Sequence, residues 1–196
     1  MNSLFIDTTG KYLTLILESN NIVLGHYHLD GERKHTELTV PTIKKLLDEQ
    51  HLKLKDLTAL YLTMGPGSYT GIRVPITIAK ILKTINPDFK VYTINSLLYQ
   101  AGLDNCISMI DAKGGQFYFA IYQNGQEIIP IQLLTLENCR EISQQFSGYE
   151  IREDLLEFDY LNNYLNLKPY FILNETVDDL IPLYFKKAVE SNETNR

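Results

Sequence analysis

The sequence predicts an α/β fold built from two lobes that repeat one order of strands and helices. The chain has 196 residues, of which 44% are hydrophobic and 21% charged, as is typical of a globular protein. Short strands rich in apolar and β-branched residues alternate with amphipathic helices along it. Residues 107–112 resemble residues 3–8 at an offset of 104 residues, and the strands and turns that follow match at the same offset. The chain is therefore expected to contain two related halves.

The first lobe, residues 1–103, is expected to begin with three antiparallel strands. Turn signals separate them, namely Asp7-Thr8-Thr9-Gly10 and the hairpin pair Asn20-Asn21. Thr36 is a typical helix start, and apolar residues recur on one face of the helix that follows. The elements predicted for this lobe are strands at 4–6, 12–17 and 22–27, a helix at 36–50, a strand at 57–63, a helix at 70–85, a strand at 90–94 and a short helix at 96–102.

The second lobe, residues 104–196, is expected to repeat this plan in shortened form. Asn124-Gly125 stands where Asn20-Asn21 stands in the first lobe, and Asp111 stands where Asp7 does. The predicted elements are strands at 107–112, 116–122 and 127–133, a helix at 136–146 and a last short helix at 182–188. Residues 147–180 show little periodicity, so we expect this lobe to be reduced.

Composition and charge exclude several classes of protein. The net charge is -6 and no block of Lys and Arg is present, so tight autonomous binding of nucleic acid is not expected. The apolar stretches are far shorter than the roughly 20 residues of a membrane-spanning helix, and the amino terminus has no signal-peptide pattern. Cys106 and Cys139 fit neither a metal pair nor a disulfide framework, so we expect small core residues in a reducing, cytoplasmic protein.

Two carboxylates at the ends of equivalent strands are candidates for chemistry. Asp7 and Asp111 would face the cleft between the lobes, where carboxylates can hold metal-bound water against a nucleotide phosphate. In the alternative interpretation, each aspartate only accepts backbone N–H groups in the turn that it opens. The residues leave both interpretations open.

A glycine-rich segment follows a buried strand and opens the second long helix, a place where backbone amides attract anions. It lacks the Lys of a Walker motif, because Ile72 and Arg73 follow Gly71. A tight turn with close backbone packing explains the glycines equally well. Ser68 lacks the glycine spacing of a nucleophile elbow. The residues expected to give weak nucleotide or anion contacts are Asp7, Thr8, Gly65, Gly67, Ser68 and Asp111.

The histidines do not predict a metal site. His26 and His28 project to one face of an edge strand without a third ligand, so we expect both to be exposed.

The predicted helix at 70–85 is more apolar than one sheet requires. A helix lying on a sheet needs an apolar stripe of roughly 100°, whereas apolar residues here cover most of the circumference. A second cover must come from another helix of this chain or from another chain. The apolar positions are Ile72, Val74, Ile76, Ile78, Ala79, Ile81, Leu82 and Ile85.

Taken in order, these motifs resemble the TsaB (YeaZ) family. The resemblance lies in Asp7-Thr8 after a strand, His35-Thr36-Glu37-Leu38 at a helix start, the segment from Gly65 to Arg73, and Asp111-Ala112-Lys113 with Gln116 and Tyr118. It extends to Pro182-Leu183-Tyr184-Phe185-Lys186. It implies an actin-like (ASKHA) fold and a part in forming threonylcarbamoyladenosine at position 37 of tRNAs that read codons beginning with A.

The resemblance also implies a non-catalytic, dimerising and activating subunit with no cofactor or metal of its own. Its expected partners are a TsaD-like catalytic subunit and a TsaE-like ATPase, with tRNA contacted only through the complex and a homodimer formed when the chain is alone. TsaD-like relatives carry His-x-x-x-His, where this chain has Asn95 and Tyr99. The partner interface is expected on helices of the first lobe, at His35, Leu38, Ile72, Ile76, Ile78, Ala79, Ile81 and Leu82.

The alternative from another class is a small ATP-dependent phosphotransferase or ATPase that uses Asp7 and Asp111. The second lobe offers no glycine-rich strand-to-helix turn, which argues against this alternative. One departure from the family pattern is Pro75, which removes a hydrogen bond from the expected interface helix.

Overall fold

The structure is a computed structural model that describes residues 1–31 and 34–183. It has two β-sheets with helices packed against them, which confirms the expected α/β architecture. Residues 184–188 of the expected last helix lie outside the described residues, and so does the end of the family motif that begins at Pro182.

The first sheet has six strands in the order β10-β5-β4-β1-β2-β3. The strands β1 to β3 are antiparallel neighbours, as predicted, while β4 runs parallel to both β1 and β5. The bounds are β1 Asn2–Asp7, β2 Tyr12–Ser19, β3 Ile22–Asp30, β4 Ala59–Thr63, β5 Lys90–Ile94 and β10 Ile172–Asn174.

Two long helices cover one face of this sheet, and a short helix lies on the other. Their bounds are α1 His35–Glu49, α2 Tyr69–Ile85 and α3 Ser96–Ala101, close to those predicted. Apolar residues spaced three or four positions apart on α1 and α2 turn towards the sheet, where each is 6% exposed or less. These residues are Ile43, Leu46 and Leu47 on α1, and Ile72, Ile76 and Ala79 on α2.

The second sheet repeats the order and spacing of four strands of the first, β3-β2-β1-β4. Its strands are β6 Cys106–Asp111, β7 Gln116–Gln123, β8 Gln126–Thr135 and β9 Glu150–Glu153, in the order β8-β7-β6-β9. The strands β6, β7 and β8 each begin 104 residues after β1, β2 and β3, and β9 lies parallel to β6 as β4 does to β1. The helix α4 Leu136–Ser143 follows β8 as α1 follows β3.

The segment 147–180, expected to be irregular, instead holds β9, the helix α5 Tyr160–Leu167 and β10. The helix α5 escapes prediction because Tyr and Asn are modest helix formers, and contacts with distant residues stabilise it. Its Tyr164 and Leu167 are fully buried, and the Tyr164 ring lies 4.7 Å from that of Phe5 on β1. The strand β10 then joins the first sheet, so the chain crosses the expected division at residue 103 a second time. That division stays a prediction.

Both cysteines are free and buried in the core, as expected. Burial raises the pKa of the Cys106 thiol to about 12. Among the described residues, no helix combines the length and apolar character needed to cross a membrane.

Candidate functional site

A cleft of about 1260 Å³ opens between the two lobes. The β1–β2 turn and the start of α2 form its first wall, with Thr9, Lys11 and Ser68 among the lining residues. The β6–β7 turn faces them with Asp111 and Lys113. The two turns that the internal repeat predicts to be equivalent therefore lie on opposite sides of one cleft.

Asp7 lies beneath the β1–β2 turn and is 3% exposed. Its Oδ1 accepts hydrogen bonds from the backbone N–H of Thr9 at 3.0 Å, from the Thr9 hydroxyl at 2.6 Å and from the Thr63 hydroxyl at 2.5 Å. Three donors on one oxygen fix the turn to the end of β4. This geometry matches the interpretation in which Asp7 stabilises the turn that it opens.

Asp111 makes the equivalent bond in the second lobe. Its Oδ1 accepts the backbone N–H of Lys113 at 2.7 Å, and its Oδ2 lies 2.7 Å from the Lys113 ammonium. Both aspartates thus bind the N–H two residues further along, which is the signature of an Asx turn. No group of three or more His, Cys, Asp or Glu side chains within residues 1–31 and 34–183 is arranged to hold a metal ion.

The glycine-rich segment packs tightly on the β1–β2 turn. The backbone N–H of Ser68 donates to the Thr9 carbonyl oxygen at 2.7 Å, and the Ser68 hydroxyl caps α2 by accepting the N–H of Gly71 at 3.2 Å. A Cβ at Gly67 would overlap the Thr9 carbonyl, and one at Gly71 would overlap that of Thr8. These two glycines therefore allow the close backbone packing that the sequence left as one of two interpretations.

The expected anion contacts divide into two groups. Gly67, Ser68 and Asp111 line the cleft. Asp7, Thr8 and Gly65 do not: all three are buried beneath its wall, because they join β1 and β4 to the helix start. Asp7 was expected to face the cleft and does not, whereas the weak anion contacts expected of the three residues stay a prediction.

A second concavity, a groove of about 440 Å³, runs between α1 and α2. Apolar side chains of both helices and of the chain after α1 form its walls, and Lys44, Asp48 and Lys53 stand beside them. Several wall residues are well exposed, among them Val40 at 61% and Ile81 at 53%. The full apolar lining is Val40, Ile43, Leu47, Leu52, Leu54, Ile78, Ile81 and Leu82.

The residues expected at the partner interface divide into those at the groove surface and those buried inside the chain. Ile78, Ile81 and Leu82 line the groove, and Leu38 is half-buried. Four others are buried within the chain, because they face the sheet and the β1–β2 turn: His35, Ile72, Ile76 and Ala79. None of these four lines the groove. Sequence reasoning missed Val40, Leu52 and Leu54. Leu52 lies in the chain between α1 and a short 3-10 turn, and Leu54 begins that turn, so neither belongs to a periodic pattern that the sequence would reveal.

The resemblance places Asn95 and Tyr99 where TsaD-like relatives carry His-x-x-x-His. In this chain both residues have structural roles. The Asn95 side chain caps α3 by accepting the N–H of Leu98 at 2.7 Å. Tyr99 is fully buried, and its hydroxyl donates to the Tyr160 carbonyl oxygen at 3.1 Å.

The histidines of β3 differ in exposure. His26 is exposed, as expected, and its Nδ1 lies 3.0 Å from the Tyr160 hydroxyl. His28 is half-buried, because its ring stacks between those of Tyr12 and Tyr160 at 4.3 and 4.2 Å. Burial lowers the pKa of His28, so its imidazole is predominantly neutral near pH 7.

Comparisons of the sequence with known proteins lead to tRNA threonylcarbamoyladenosine biosynthesis. Residues 29–145 match the family described as TsaD, tRNA N6-adenosine threonylcarbamoyltransferase. The chain is 30% identical over 189 residues to an uncharacterized protein of Mycoplasma genitalium, covering 95% of both chains. It is 31% identical over 154 residues to the tRNA threonylcarbamoyladenosine biosynthesis protein TsaB of Bacillus subtilis, covering 74% of this chain and 67% of that protein. For TsaB of Escherichia coli, the identity is 30% over 162 residues, with 76% and 68% covered.

Solved structures show the same fold at lower identity. YeaZ from Pseudomonas aeruginosa superposes with a TM-score of 0.68 at 18% identity, covering 93% of this chain and 99% of that one. An uncharacterized protein with similarity to peptidase YeaZ from Pseudomonas aeruginosa superposes with a TM-score of 0.74 at 18% identity, covering 94% and 99%. These matches confirm the expected actin-like fold. With the two-lobed architecture, the glycine-rich turn between β4 and α2 and the curated relatives in agreement, the chain belongs to the TsaB (YeaZ) family of tRNA threonylcarbamoyladenosine biosynthesis proteins.

Proposed function

We propose that the chain acts in tRNA threonylcarbamoyladenosine biosynthesis as the non-catalytic partner of a TsaD-like catalytic subunit. The curated relatives named TsaB support the pathway. The groove between α1 and α2 is the observation that carries the role of a binding subunit. A soluble monomer rarely exposes a contiguous apolar concavity, and such a feature is typical of a protein-binding surface.

The surroundings of the groove support a helical or apolar anchor from the partner. Val40 and Ile81 stand on the outer faces of α1 and α2, where burial on binding removes apolar surface from water. Lys44 pairs with Asp48 at the edge, while Lys53 adds positive charge beside the apolar wall. A charged edge around an apolar centre is the usual anatomy of a specific interface.

The absence of catalysis is supported by two features of the chain. Asn95 and Tyr99 stand where TsaD-like relatives have metal-binding histidines, and both are engaged in structural hydrogen bonds. Asp7 is the carboxylate that a phosphotransferase would use. One of its oxygens accepts three hydrogen bonds, and the residue does not line the cleft. The phosphotransferase alternative is not favoured.

The proposal extends to pairing of the chain with itself, to further partners and to anion binding in the cleft. A chain without its partner pairs with a second copy through the same groove, so that the TsaD-like subunit competes with the homodimer. A TsaE-like ATPase and tRNA are reached through the complex, in the cytoplasm. An anion in the cleft would meet Gly67 and Ser68 at the start of α2, opposite the negative charge of Asp111, and would bind weakly.

Reconstitution tests the proposal. We expect purified TsaD-like and TsaE-like subunits of the same organism, supplied with ATP and an activated threonylcarbamoyl donor, to modify tRNA only when this chain is added, with the product measured by mass spectrometry of nucleosides. The chain alone should form no product and hydrolyse no ATP. ATP turnover by the chain alone at about 1 per second, abolished by Asp7→Asn, would instead establish the phosphotransferase.

A further inference from the structure

The helix α2 contains a proline that ought to weaken it. Pro75 lies inside α2 and has no N–H to donate to the carbonyl oxygen four residues earlier, which belongs to Gly71. Gly71 is buried, so water cannot readily take the place of that donor. The helix nevertheless continues without a break from Tyr69 to Ile85.

A side chain from another element supplies the missing donor. The hydroxyl of Thr8, in the β1–β2 turn, donates to the Gly71 carbonyl oxygen at 2.7 Å. Thr8 is fully buried, and the glycine at position 71 lets the two backbones come this close. The hydrogen bond that Pro75 removes from the helix is thus replaced by one from the sheet.

The same turn also contacts the start of α1. The Gly10 carbonyl oxygen lies 3.0 Å from Nε2 of His35, the first residue of α1. Because a carbonyl oxygen can only accept a hydrogen bond, Nε2 is the donor. The Thr9 carbonyl accepts the N–H of Ser68, the cap of α2. Thr8, Thr9 and Gly10 therefore make hydrogen bonds to the first turns of both helices that form the groove.

We propose that Thr8 is a positioning residue for the partner-binding groove. By replacing the donor that Pro75 lacks, its hydroxyl holds the start of α2 against the β1–β2 turn and hence beside α1. Without the hydroxyl, the Gly71 carbonyl gains a partner only if the first turn of α2 shifts towards water. Such a shift changes the spacing of α1 and α2, and with it the fit of a partner. The inference rests on the proposed function, because it assigns the effect to binding at this groove.

A double-mutant cycle on the whole chain tests the proposal. Thr8→Val keeps the shape of the side chain and removes the hydroxyl, whereas Pro75→Ala restores an N–H within the helix. We expect Thr8→Val to weaken binding of the TsaD-like subunit by about tenfold, or about 1.4 kcal/mol, and Thr8→Ser to bind like the wild type. In the Pro75→Ala background, Thr8→Val should weaken binding by less than about twofold.

Pro41 of α1 provides the matched control. It removes the donor to the Glu37 carbonyl, but Glu37 is exposed, where solvent can pair with that oxygen. Pro41→Ala should therefore not rescue Thr8→Val. Equal losses in the wild-type and Pro75→Ala backgrounds, equal rescue by Pro41→Ala, or unchanged binding by Thr8→Val would overturn the proposal.

Two further outcomes are decisive. If Thr8→Val does not fold, the double variant with Pro75→Ala decides: a folded double variant that binds supports the inference, and an unfolded or non-binding one overturns it. A wild-type chain that does not bind the TsaD-like subunit contradicts the proposed function instead. Urea unfolding of the wild type, Thr8→Val, Pro75→Ala and the double variant then still measures the coupling of Thr8 to Pro75.

Discussion

The Lys168 ammonium lies 2.7 Å from Oε2 of Glu18, although 150 residues separate the two in sequence. Glu18 lies near the end of β2 and is fully buried, and the same oxygen accepts hydrogen bonds from the Tyr164 hydroxyl at 2.6 Å and the Ser3 hydroxyl at 3.2 Å. The pair joins the chain after α5 to the first sheet. It therefore fixes the return of the second half that brings β10 beside β5.

Lys168→Met should destabilise the protein markedly, because it leaves a buried carboxylate without its cation. We expect the free energy of unfolding in urea to fall by about 3–5 kcal/mol. The double variant Lys168→Met with Glu18→Gln should recover much of this loss, since no buried charge remains. Lys44→Met, which breaks the exposed pair with Asp48, should cost less than about 1 kcal/mol. Similar losses for Lys168→Met and Lys44→Met would contradict this account.

Gly71→Ala should also destabilise the fold, because the new methyl group would overlap the backbone carbonyl of Thr8. Backbone cannot move aside as a side chain can, so we expect a loss of about 1–3 kcal/mol in thermal or urea unfolding. Gly25→Ala is the control, since its methyl would meet the end of the Leu46 side chain at 3.0 Å and no backbone atom. A stable Gly71→Ala variant that still fails to support tRNA modification would show that this turn contacts a ligand or partner directly.

Stability should decline at alkaline pH, in part through Tyr61. Burial, with the Tyr92 ring stacked at 4.6 Å, raises the pKa of Tyr61 to about 12, whereas an unfolded tyrosine has a pKa of about 10. The folded state holds this proton more tightly, so the stability is fully present below pH 10 and is lost as the pH rises towards 12. Tyr61→Phe should therefore lose less stability than the wild type between about pH 10 and 12. Parallel curves for the two proteins would contradict the assignment.

Local signals explain most of what the sequence predicted. The equivalent aspartates and the Asn20-Asn21 and Asn124-Gly125 hairpins mark turns that depend on a few neighbouring residues, and so the repeat of strands is visible without a structure. The segment after residue 147 was misjudged, because Tyr164 and Leu167 find their packing partners on a sheet formed far away in sequence. Tertiary contacts of this kind leave no local pattern.

The candidate interface was predicted only in part for a related reason. The helix α2 carries two apolar stripes at helical spacing, and the sequence does not tell which one faces the sheet. The structure assigns Ile72, Ile76 and Ala79 to the core, and Ile78, Ile81 and Leu82 to the groove. Asp7 was expected at the cleft but is buried beneath the β1–β2 turn, because the backbone N–H and the hydroxyl of Thr9 fold back onto its carboxylate.

Binding of the TsaD-like subunit by Ile81→Glu, followed by sedimentation or calorimetry, tests the central claim most directly. Ile81 of the groove and Ile151 of β9 are both 53% exposed, so Ile151→Glu is a control of equal exposure outside the groove. We predict that Ile81→Glu folds and binds at least about tenfold more weakly, because binding would bury its charge without a partner, while Ile151→Glu binds like the wild type. A folded Ile81→Glu variant with wild-type affinity would contradict the claim that this groove is the partner-binding surface.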